Sequence, residues 1–249
     1  MPEGPTIIAF KDEIQRFSQK IVTKSNGYAN PFADELLGEK LLVVKTYGKY
    51  LILVFQQFFI TVHFGMYGSF LINRTKNINP CFNLFFDKEF INFYVVRIKK
   101  IDGKPENYAD DELDVFSPTF NPEKQKSMLI KEAKNQKIGD VLMNQAIFPG
   151  VGNIIRNEVL FYTKIHPESV VNAIPDGKID ELISKIQSFS RTSVEMIKKG
   201  IWHANCVVYE KEKNGNNPIN RYVSPKIKRN TFVDEKVQRL YENQLNIPF

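Results

Sequence analysis

Residues 41–97 consist largely of short runs of β-branched and aromatic side chains, separated by turn-like breaks such as Tyr47-Gly48 and Gly65 to Gly68. The runs occupy residues 41–44, 50–55, 58–62, 82–86 and 91–97. Residues of these types favour strands, and the breaks between the runs are typical of hairpin turns. The sequence therefore predicts an antiparallel β meander or sandwich in this segment, and not a βαβ repeat.

Helical patterns lie on both sides of this β-rich segment. Apolar residues with 3-4-3-4 spacing begin at Ile7 and end at Ile21, and Thr6 is a suitable N-cap for that helix. Further helical periodicity occupies residues 137–145, 153–163 and 180–199. Residues 207–232 return to short strand-like pieces around Asn214-Gly215, which is a hairpin signal.

We predict an α+β protein of two domains, an N-terminal antiparallel β-sandwich with flanking helices and a C-terminal helical domain with a small β-hairpin. A length of 249 residues suits two domains of modest size. Residues 103–134 lose the strand pattern, and residues 103–107, 117–119 and 121–122 have turn-like compositions that predict surface loops and a linker. The predicted boundaries are 1–118 for the sandwich, 119–134 for a linker, 135–205 for the helical domain and 206–249 for the hairpin and tail.

The charge and the cysteine content narrow the classes of function. Thirty-four Lys and Arg against 28 Asp and Glu give a net charge of +6, which favours a polyanionic partner. No apolar run is long enough to span a membrane, and Glu3 and Lys11 interrupt any secretory signal. Cys81 and Cys206 form neither a C-x-x-C motif nor a disulfide framework. These features predict a cytoplasmic protein that does not bind membranes.

Pro2 is the first candidate for chemistry. Removal of Met1 would leave the proline as a secondary amine, and an unperturbed α-amino group has a pKa of about 8, so part of it is nucleophilic at neutral pH. Attack on an aldehyde-like carbon would form an iminium, and Glu3 beside it could transfer protons. Many Met-Pro openings have no catalytic meaning, so this residue alone does not decide the function.

Residues 142–154 form a second candidate, in which one helix ends, Gly150 and Gly152 permit a tight turn, and another helix opens on Asn153. Backbone N–H groups at such a turn and helix N-terminus bind phosphate, and the Asn153 amide adds a donor. The alternative is a plain corner between two helices.

Together with Gly48-Lys49-Tyr50, these segments resemble the formamidopyrimidine-DNA glycosylase / endonuclease VIII family of base-excision repair enzymes. Residues 2–5 resemble the family's amino terminus, and residues 48–51 resemble its catalytic-lysine hairpin. Residues 63–68 resemble its intercalation loop, 142–167 its helix–two-turns–helix and 229–232 the finger with its catalytic arginine. The matches follow the family's order along the chain.

The resemblance implies a bifunctional DNA glycosylase and abasic-site lyase that removes oxidised bases from damaged double-stranded DNA. Pro2 would attack C1′ and displace the base, with Glu3 as general acid and base. Lys49 would sit on the phosphate backbone at the lesion, and Asn153 and Arg229 would hold the flanking phosphates. Strand cleavage would follow by β-elimination, with δ-elimination left open. The resemblance implies no cofactor and a monomeric protein.

A base that leaves the stack creates a gap in the duplex. The resemblance implies which residues fill this gap and face the unpaired base. Met66 would fill the gap and Arg97 would face the unpaired opposite base. The alternatives are an ordinary core methionine for Met66 and a solvated strand-end charge for Arg97. Gly150 and Gly152 would shape the phosphate-binding turn, and His63 and His166 are expected to be structural.

The sequence departs from the family's pattern mainly where the lesion is recognised. Residues 209–240 contain no cysteine, which predicts a finger without zinc. Lys99 stands where a void-filling phenylalanine is expected, and Thr6 where many members have glutamate. The segment between Gly200 and Val207 is too short to cover an extruded 8-oxoguanine, and no histidine lies near Cys81 to contact DNA.

Other functions stay open at this stage. A protein that binds DNA damage or abasic sites with little or no glycosylase activity is the main alternative. A purely RNA-binding role is more remote, since the β-rich N-terminal half disfavours it. The preferred lesion and opposite base, the role of Lys99 in filling the void and any protein partners are not determined by the sequence.

Overall fold

The computed structural model describes residues 2–242. The chain forms two compact units, Met1–Asp110 and Asp111–Phe249. The second unit therefore begins within the loops that the sequence assigned to the end of the first domain. The predicted tail lies partly outside the described residues, since these end at Glu242.

The first unit is an antiparallel sandwich with one α-helix, α1 (Gly4–Ile14). Its strands are β1 (Lys24–Asn26), β2 (Val43–Tyr47), β3 (Tyr50–Val54), β4 (Phe58–His63), β5 (Ser69–Ile72), β6 (Phe82–Phe86), β7 (Glu89–Tyr94) and β8 (Arg97–Asp102). One sheet has the order β1-β6-β7-β5 and the other β2-β3-β4-β8. The prediction of an antiparallel sandwich with a flanking helix is confirmed.

Aromatic side chains dominate the core of this unit. Phe64, Phe82 and Phe93 are buried in one cluster with Ile7 and Ile14 of α1. The rings of Phe82 and Phe93 are stacked with centroids 5.3 Å apart. Rings of this size bury large apolar areas, so the alternating runs of the sequence account for most of this core.

Helix α1 begins earlier and ends earlier than predicted. Its N-cap is Glu3, and Thr6 is the third residue of the helix, where its hydroxyl accepts the Glu3 backbone N–H at 3.3 Å. The prediction of Thr6 as N-cap was wrong because Pro5, which lacks an N–H, fits the first turn of a helix. Ile21 lies beyond the helix and is exposed.

The second unit is mainly helical. Its helices are α2 (Pro122–Ala133), α3 (Ile138–Val141), α4 (Asn153–Tyr162) and α5 (Asp176–Lys198), and its strands are β9 (Lys213–Asn214), β10 (Asn217–Pro218), β11 (Asn220–Val223) and β12 (Asn230–Val233). Strand β9 pairs with β10, and β11 with β12, both antiparallel. The predicted C-terminal helical domain with a β-hairpin is confirmed.

Helix α2 occupies most of the segment that was predicted to be a linker, residues 119–134. The Asn121 side chain accepts the Lys124 N–H at 3.1 Å as an N-cap, and Pro122 occupies the first turn. Leu129 and Ala133 are buried in the core of the second unit. The Asn-Pro pair that suggested a loop is in fact a helix start signal.

Helix α5 is the longest in the part of the chain that the structure describes, with 23 residues. It buries Ile179, Leu182, Ile183 and Ile186 at a spacing of three and four residues and exposes charged residues on its other side. No helix within residues 2–242 is both long enough and apolar enough to cross a membrane.

Candidate functional site

Pro2 and Glu3 lie directly at the start of α1. The Glu3 side chain is 1% exposed, whereas Pro2 is partly exposed. Gly4 and Pro5 behind them are buried, and α1 packs against β2 and β3. Once Met1 is removed, the amine of Pro2 would therefore adjoin a buried carboxyl group.

A row of polar side chains crosses one sheet of the first unit. The strand register pairs Tyr47 with Tyr50, Tyr50 with His63, and His63 with Arg97. Gly48 and Lys49 form the two-residue turn between β2 and β3, and Gly48 has φ of 54°, which a two-residue hairpin turn requires. Lys49 and Arg97 therefore belong to the same end of one sheet.

His63 links this row to the following loop. Its Nδ1 accepts the Gly65 backbone N–H at 3.2 Å and lies 3.1 Å from a guanidinium nitrogen of Arg97. Because Nδ1 accepts, the proton of the neutral ring is on Nε2. Burial, followed by the charges of Arg97 and Lys49, lowers the pKa of His63 below its ordinary value. Arg97 is thus more than a solvated strand-end charge.

We expect Arg97→Gln to raise the pKa of His63, because the variant removes a positive charge beside the ring. Proton–nitrogen NMR titration of the imidazole measures this pKa directly. Arg74→Gln, which removes an exposed guanidinium of the same unit, is the matched control and should leave the His63 pKa unchanged. An unchanged pKa in Arg97→Gln would contradict the assigned contact.

The same pKa shift sets the sign of a pH effect on stability. The folded pKa of His63 lies below the ordinary value of 6.5, so the contribution of the neutral ring to stability is fully present above pH 6.5. The contribution is lost as the pH falls through the lowered folded pKa, since protonation then favours the unfolded chain.

The loop between His63 and Gly68 is tightly closed. The Gly68 N–H donates to the Phe64 carbonyl at 2.7 Å, and Phe64 is buried in the core. A Cβ on Gly68 would lie 2.1 Å from the Phe64 carbonyl oxygen, so only glycine fits there. Met66 and Tyr67 at the tip are 51% and 78% exposed. Met66 is therefore not a core methionine.

In the second unit, the two glycines of the turn between α3 and α4 differ in backbone conformation. Gly150 has φ of 86°, which favours glycine, and its N–H donates to the Gln145 side chain at 3.2 Å. Gly152 is the N-cap of α4 in an extended conformation that other residues also adopt. Asn153 is the first residue of α4, as predicted for the phosphate-binding turn.

Asn153 connects α4 to the hairpin that contains Arg229. Its Nδ2 donates to the Asn230 carbonyl at 3.0 Å, and Asn230 begins β12 directly after Arg229. Asn157 extends the connection, because its Oδ1 accepts the Phe232 N–H at 2.9 Å. Helix α4 is thus hydrogen-bonded to strand β12, which begins at the residue after Arg229.

The predicted site residues fall into two groups, one in each unit. Pro2, Glu3, Lys49, Met66 and Arg97 belong to the first unit. The second unit contains the others, namely Gly150, Gly152, Asn153 and Arg229. The catalytic and DNA-binding roles of all nine residues stay predictions at this point.

Sequence reasoning missed two buried charged residues of α4. The Glu158 carboxylate accepts backbone N–H groups of Val207, Val208 and Tyr209 at 2.8–2.9 Å. The Arg156 side chain is 1% exposed and bonds to the side chains of Asn153 and Thr231. The available signal was the presence of charges inside an otherwise apolar helix, which requires buried partners.

The finger, here defined as residues 213–238, contains a buried carboxylate that accepts hydrogen bonds from two amide side chains. Asp234 is fully buried, and its Oδ2 accepts the side-chain N–H groups of Asn214 and Asn217, both at 3.1 Å. The Asp234 N–H in turn donates to Gln238 at 3.0 Å. Two amides and one carboxylate do not fit the Cys and His ligands of a structural zinc. Within residues 2–242, no group of three His, Cys, Asp or Glu is placed to hold a metal ion.

Two family models match this sequence. The formamidopyrimidine-DNA glycosylase N-terminal domain matches residues 1–98, and the formamidopyrimidine-DNA glycosylase H2TH domain matches residues 112–204. The Formamidopyrimidine-DNA glycosylase of Bacillus cereus is 31% identical over 196 residues, which are 73% of this chain and 68% of that protein. The chain belongs to the formamidopyrimidine-DNA glycosylase / endonuclease VIII family. The predicted family is confirmed.

A second group of relatives in this family is much longer than the chain. Endonuclease 8-like 3 of Homo sapiens is 33% identical over 181 residues, which are 70% of this chain and 28% of that protein. The matched part thus covers little more than a quarter of that relative's length.

Solved structures of the family share the fold. The Lactococcus lactis Formamido-pyrimidine DNA Glycosylase, bound non-covalently to DNA that contains an AP site, has a TM-score of 0.83 at 19% identity. The match covers 95% of this chain and 99% of that chain. A viral DNA glycosylase has the same TM-score and identity, with 95% and 100% coverage. At this identity the comparison shows the fold.

Proposed function

We propose that the protein is a bifunctional DNA glycosylase and abasic-site lyase of base-excision repair. The observation that carries the proposal is the pairing of Pro2 with the buried carboxyl of Glu3 at the start of α1. A nucleophilic amine and a proton-transfer group are the two functions that a glycosylase with lyase activity needs. Membership of the family and the names of the relatives support the glycosylase part of this proposal.

The proposed reaction begins after removal of Met1. The Pro2 nitrogen attacks C1′ of the damaged nucleotide and the bond from C1′ to the base breaks, so the base leaves with its electron pair and a proton. Opening of the sugar ring gives an iminium between Pro2 and C1′. Glu3 supplies and removes the protons in these steps.

Strand cleavage uses the same iminium. Its positive nitrogen withdraws electrons from C2′, a proton leaves C2′, and the electron pair expels the 3′ phosphate. Water then hydrolyses the conjugated iminium and releases the Pro2 amine. A second elimination of the 5′ phosphate is compatible with the same residues.

Basic and amide groups of both units are the proposed phosphate ligands. Lys49 lies at the end of the sheet that also contains Arg97. The Asn153 side chain is hydrogen-bonded to Asn230, the residue after Arg229. The exposed tip residue Met66 fills the gap left by the extruded nucleotide, while Arg97 faces the opposite base. We propose damaged double-stranded DNA as the partner of a monomeric, cytoplasmic protein that needs no cofactor.

Borohydride trapping tests the proposal. Purified protein is incubated with a labelled duplex that contains one abasic site, and borohydride reduces any iminium to a stable amine. We expect a protein–DNA cross-link on a denaturing gel, and peptide mass spectrometry should place it on residue 2.

Protein with a chemically blocked amino terminus is the control for this experiment, and it should give no cross-link. Tight binding of the same duplex by unblocked protein without any cross-link would contradict the lyase. It would favour the alternative that the chain recognises abasic sites without acting on them.

A further inference from the structure

Arg156 is a buried cation close to the proposed phosphate ligand Asn153. It lies one helical turn after Asn153 on α4, and its side chain returns towards the start of the helix. With 1% exposure, Arg156 is the largest fully buried side chain in the part of the chain that the structure describes. A guanidinium is costly to remove from water, so such a position requires compensating contacts.

The contacts of Arg156 all lead to Asn153 and the start of β12. Its Nη1 donates to the Asn153 Oδ1 at 2.6 Å and lies 3.5 Å from the Asn230 carbonyl oxygen. Its Nη2 donates to the Thr231 hydroxyl. Arg156 therefore joins the first residue of α4 to the two residues that follow Arg229.

These contacts determine which way the Asn153 amide points. A guanidinium has only donors, so the atom of Asn153 that faces Arg156 must be the oxygen. The Nδ2 group is then directed to the other side, where one of its two hydrogens binds the Asn230 carbonyl. With an uncharged residue at position 156, only the bond to the Asn230 carbonyl would oppose a 180° rotation of the amide, which would present its oxygen to a phosphate.

The charge of Arg156 is not neutralised by a direct ion pair. Within residues 2–242 no carboxylate lies within ion-pair distance of its guanidinium, and its Nε has no hydrogen-bond partner. Burial lowers the pKa of Arg156 to about 10, although the nearby carboxylates of Asp140 and Glu168 act in the opposite direction. The side chain is thus still protonated at neutral pH.

We infer that Arg156 is a positioning residue for DNA binding, which fixes the Asn153 amide with its remaining N–H directed to a phosphate and couples it to the Arg229 hairpin. Arg156 itself, being buried, does not contact the phosphate. This inference rests on the proposed function, because it assumes that Asn153 binds the DNA backbone.

The test is a double-mutant cycle on the full chain with Asn153→Ala, Arg156→Met and the double variant. Binding is measured by fluorescence anisotropy with a duplex that contains a tetrahydrofuran abasic analogue, which the enzyme cannot cleave. We expect Arg156→Met to weaken binding about tenfold or more, as the loss of one charge-assisted hydrogen bond predicts. The double variant should bind about as well as the weaker single variant, since both changes remove the same interaction.

The salt dependence separates positioning from direct contact. If Arg156 does not touch a phosphate, the slope of log K against log salt should be the same in Arg156→Met and wild type. A slope reduced by about 0.9 would indicate a direct phosphate contact and overturn the inference. Additive losses in the double variant, or full affinity of Arg156→Met, would overturn it as well.

Two further variants exclude a general structural defect. Arg156→Lys retains a buried cation with one flexible donor group and should recover part of the affinity. Arg191→Met removes a guanidinium from an exposed position of α5 and should bind normally. Fluorescence of Trp202, the only tryptophan, which is buried in the second unit, checks that each variant is folded. Failure of wild type to bind the duplex would refute the proposed function and not the role of Arg156 alone.

Discussion

Glu3→Gln is expected to reduce base excision by a factor of about 10²–10⁴, the usual contribution of a general acid or base. The amide has nearly the size of the carboxyl group but does not transfer protons, so departure of the base loses its assistance. The Pro2 amine is unchanged, and we expect strand cleavage at a preformed abasic site to persist. The variant should therefore separate the two proposed activities.

The measurement compares one duplex with a damaged base and one with an abasic site, under single-turnover conditions. Glu13→Gln is the matched control, since Glu13 is an exposed carboxylate on the same helix α1. It should leave both rates unchanged. Undiminished base excision by Glu3→Gln would remove Glu3 from the mechanism.

Asp234→Ala is expected to destabilise the second unit strongly. The variant deprives the side chains of Asn214 and Asn217 of their common acceptor inside the finger. Hydrogen bonds to a charged group contribute about 1.5–3 kcal/mol each, so we expect a loss of about 3 kcal/mol in the free energy of unfolding. For a unit of this size, that corresponds to a melting temperature lower by about 6–12 °C.

Thermal unfolding followed by Trp202 fluorescence reports on this unit, because the chain has no other tryptophan. Asn220→Ala, which removes an exposed amide from β11, should change the midpoint little. Asp234→Asn should also be unstable, since its new N–H₂ group would face either the donors of Asn214 and Asn217 or the Lys236 N–H, all of which the carboxylate now accepts. A midpoint of Asp234→Ala equal to that of wild type would show that the carboxylate does not hold the finger.

The sequence predicted the elements whose hydrophobic period is strong. The β-branched and aromatic runs became β2, β3, β4, β6 and β7, whereas β1, β5 and β8 had no such run. The apolar positions of α5 repeat every three or four residues along its buried side. The predictions failed at helix ends, where Asn121-Pro122 and Thr6 allowed more than one interpretation. Local signals do not resolve such cases, because neighbouring elements decide which turn becomes the cap.

The residues of the candidate site also differ in whether the sequence alone could predict them. Motifs located Lys49, Asn153 and the loop with Met66, since each depends on a short stretch of sequence. The roles of Arg156 and Asp234 depend on partners 75 and 20 residues away along the chain. Helix α4 also buries its residues on all sides from Asn153 to Leu160, so no amphipathic pattern reveals which of its polar groups meet β12.

The closed turn from Phe64 to Gly68 has a consequence for the thermodynamics of DNA binding. Its backbone is held by hydrogen bonds at both ends before any DNA arrives, so its conformational entropy is lost when the protein folds. The insertion into a duplex that we propose for this loop would then require ordering of only the Met66 and Tyr67 side chains, at about 0.5–1.5 kcal/mol each. Because this contribution is apolar, it should persist at salt concentrations that weaken the contacts to phosphate.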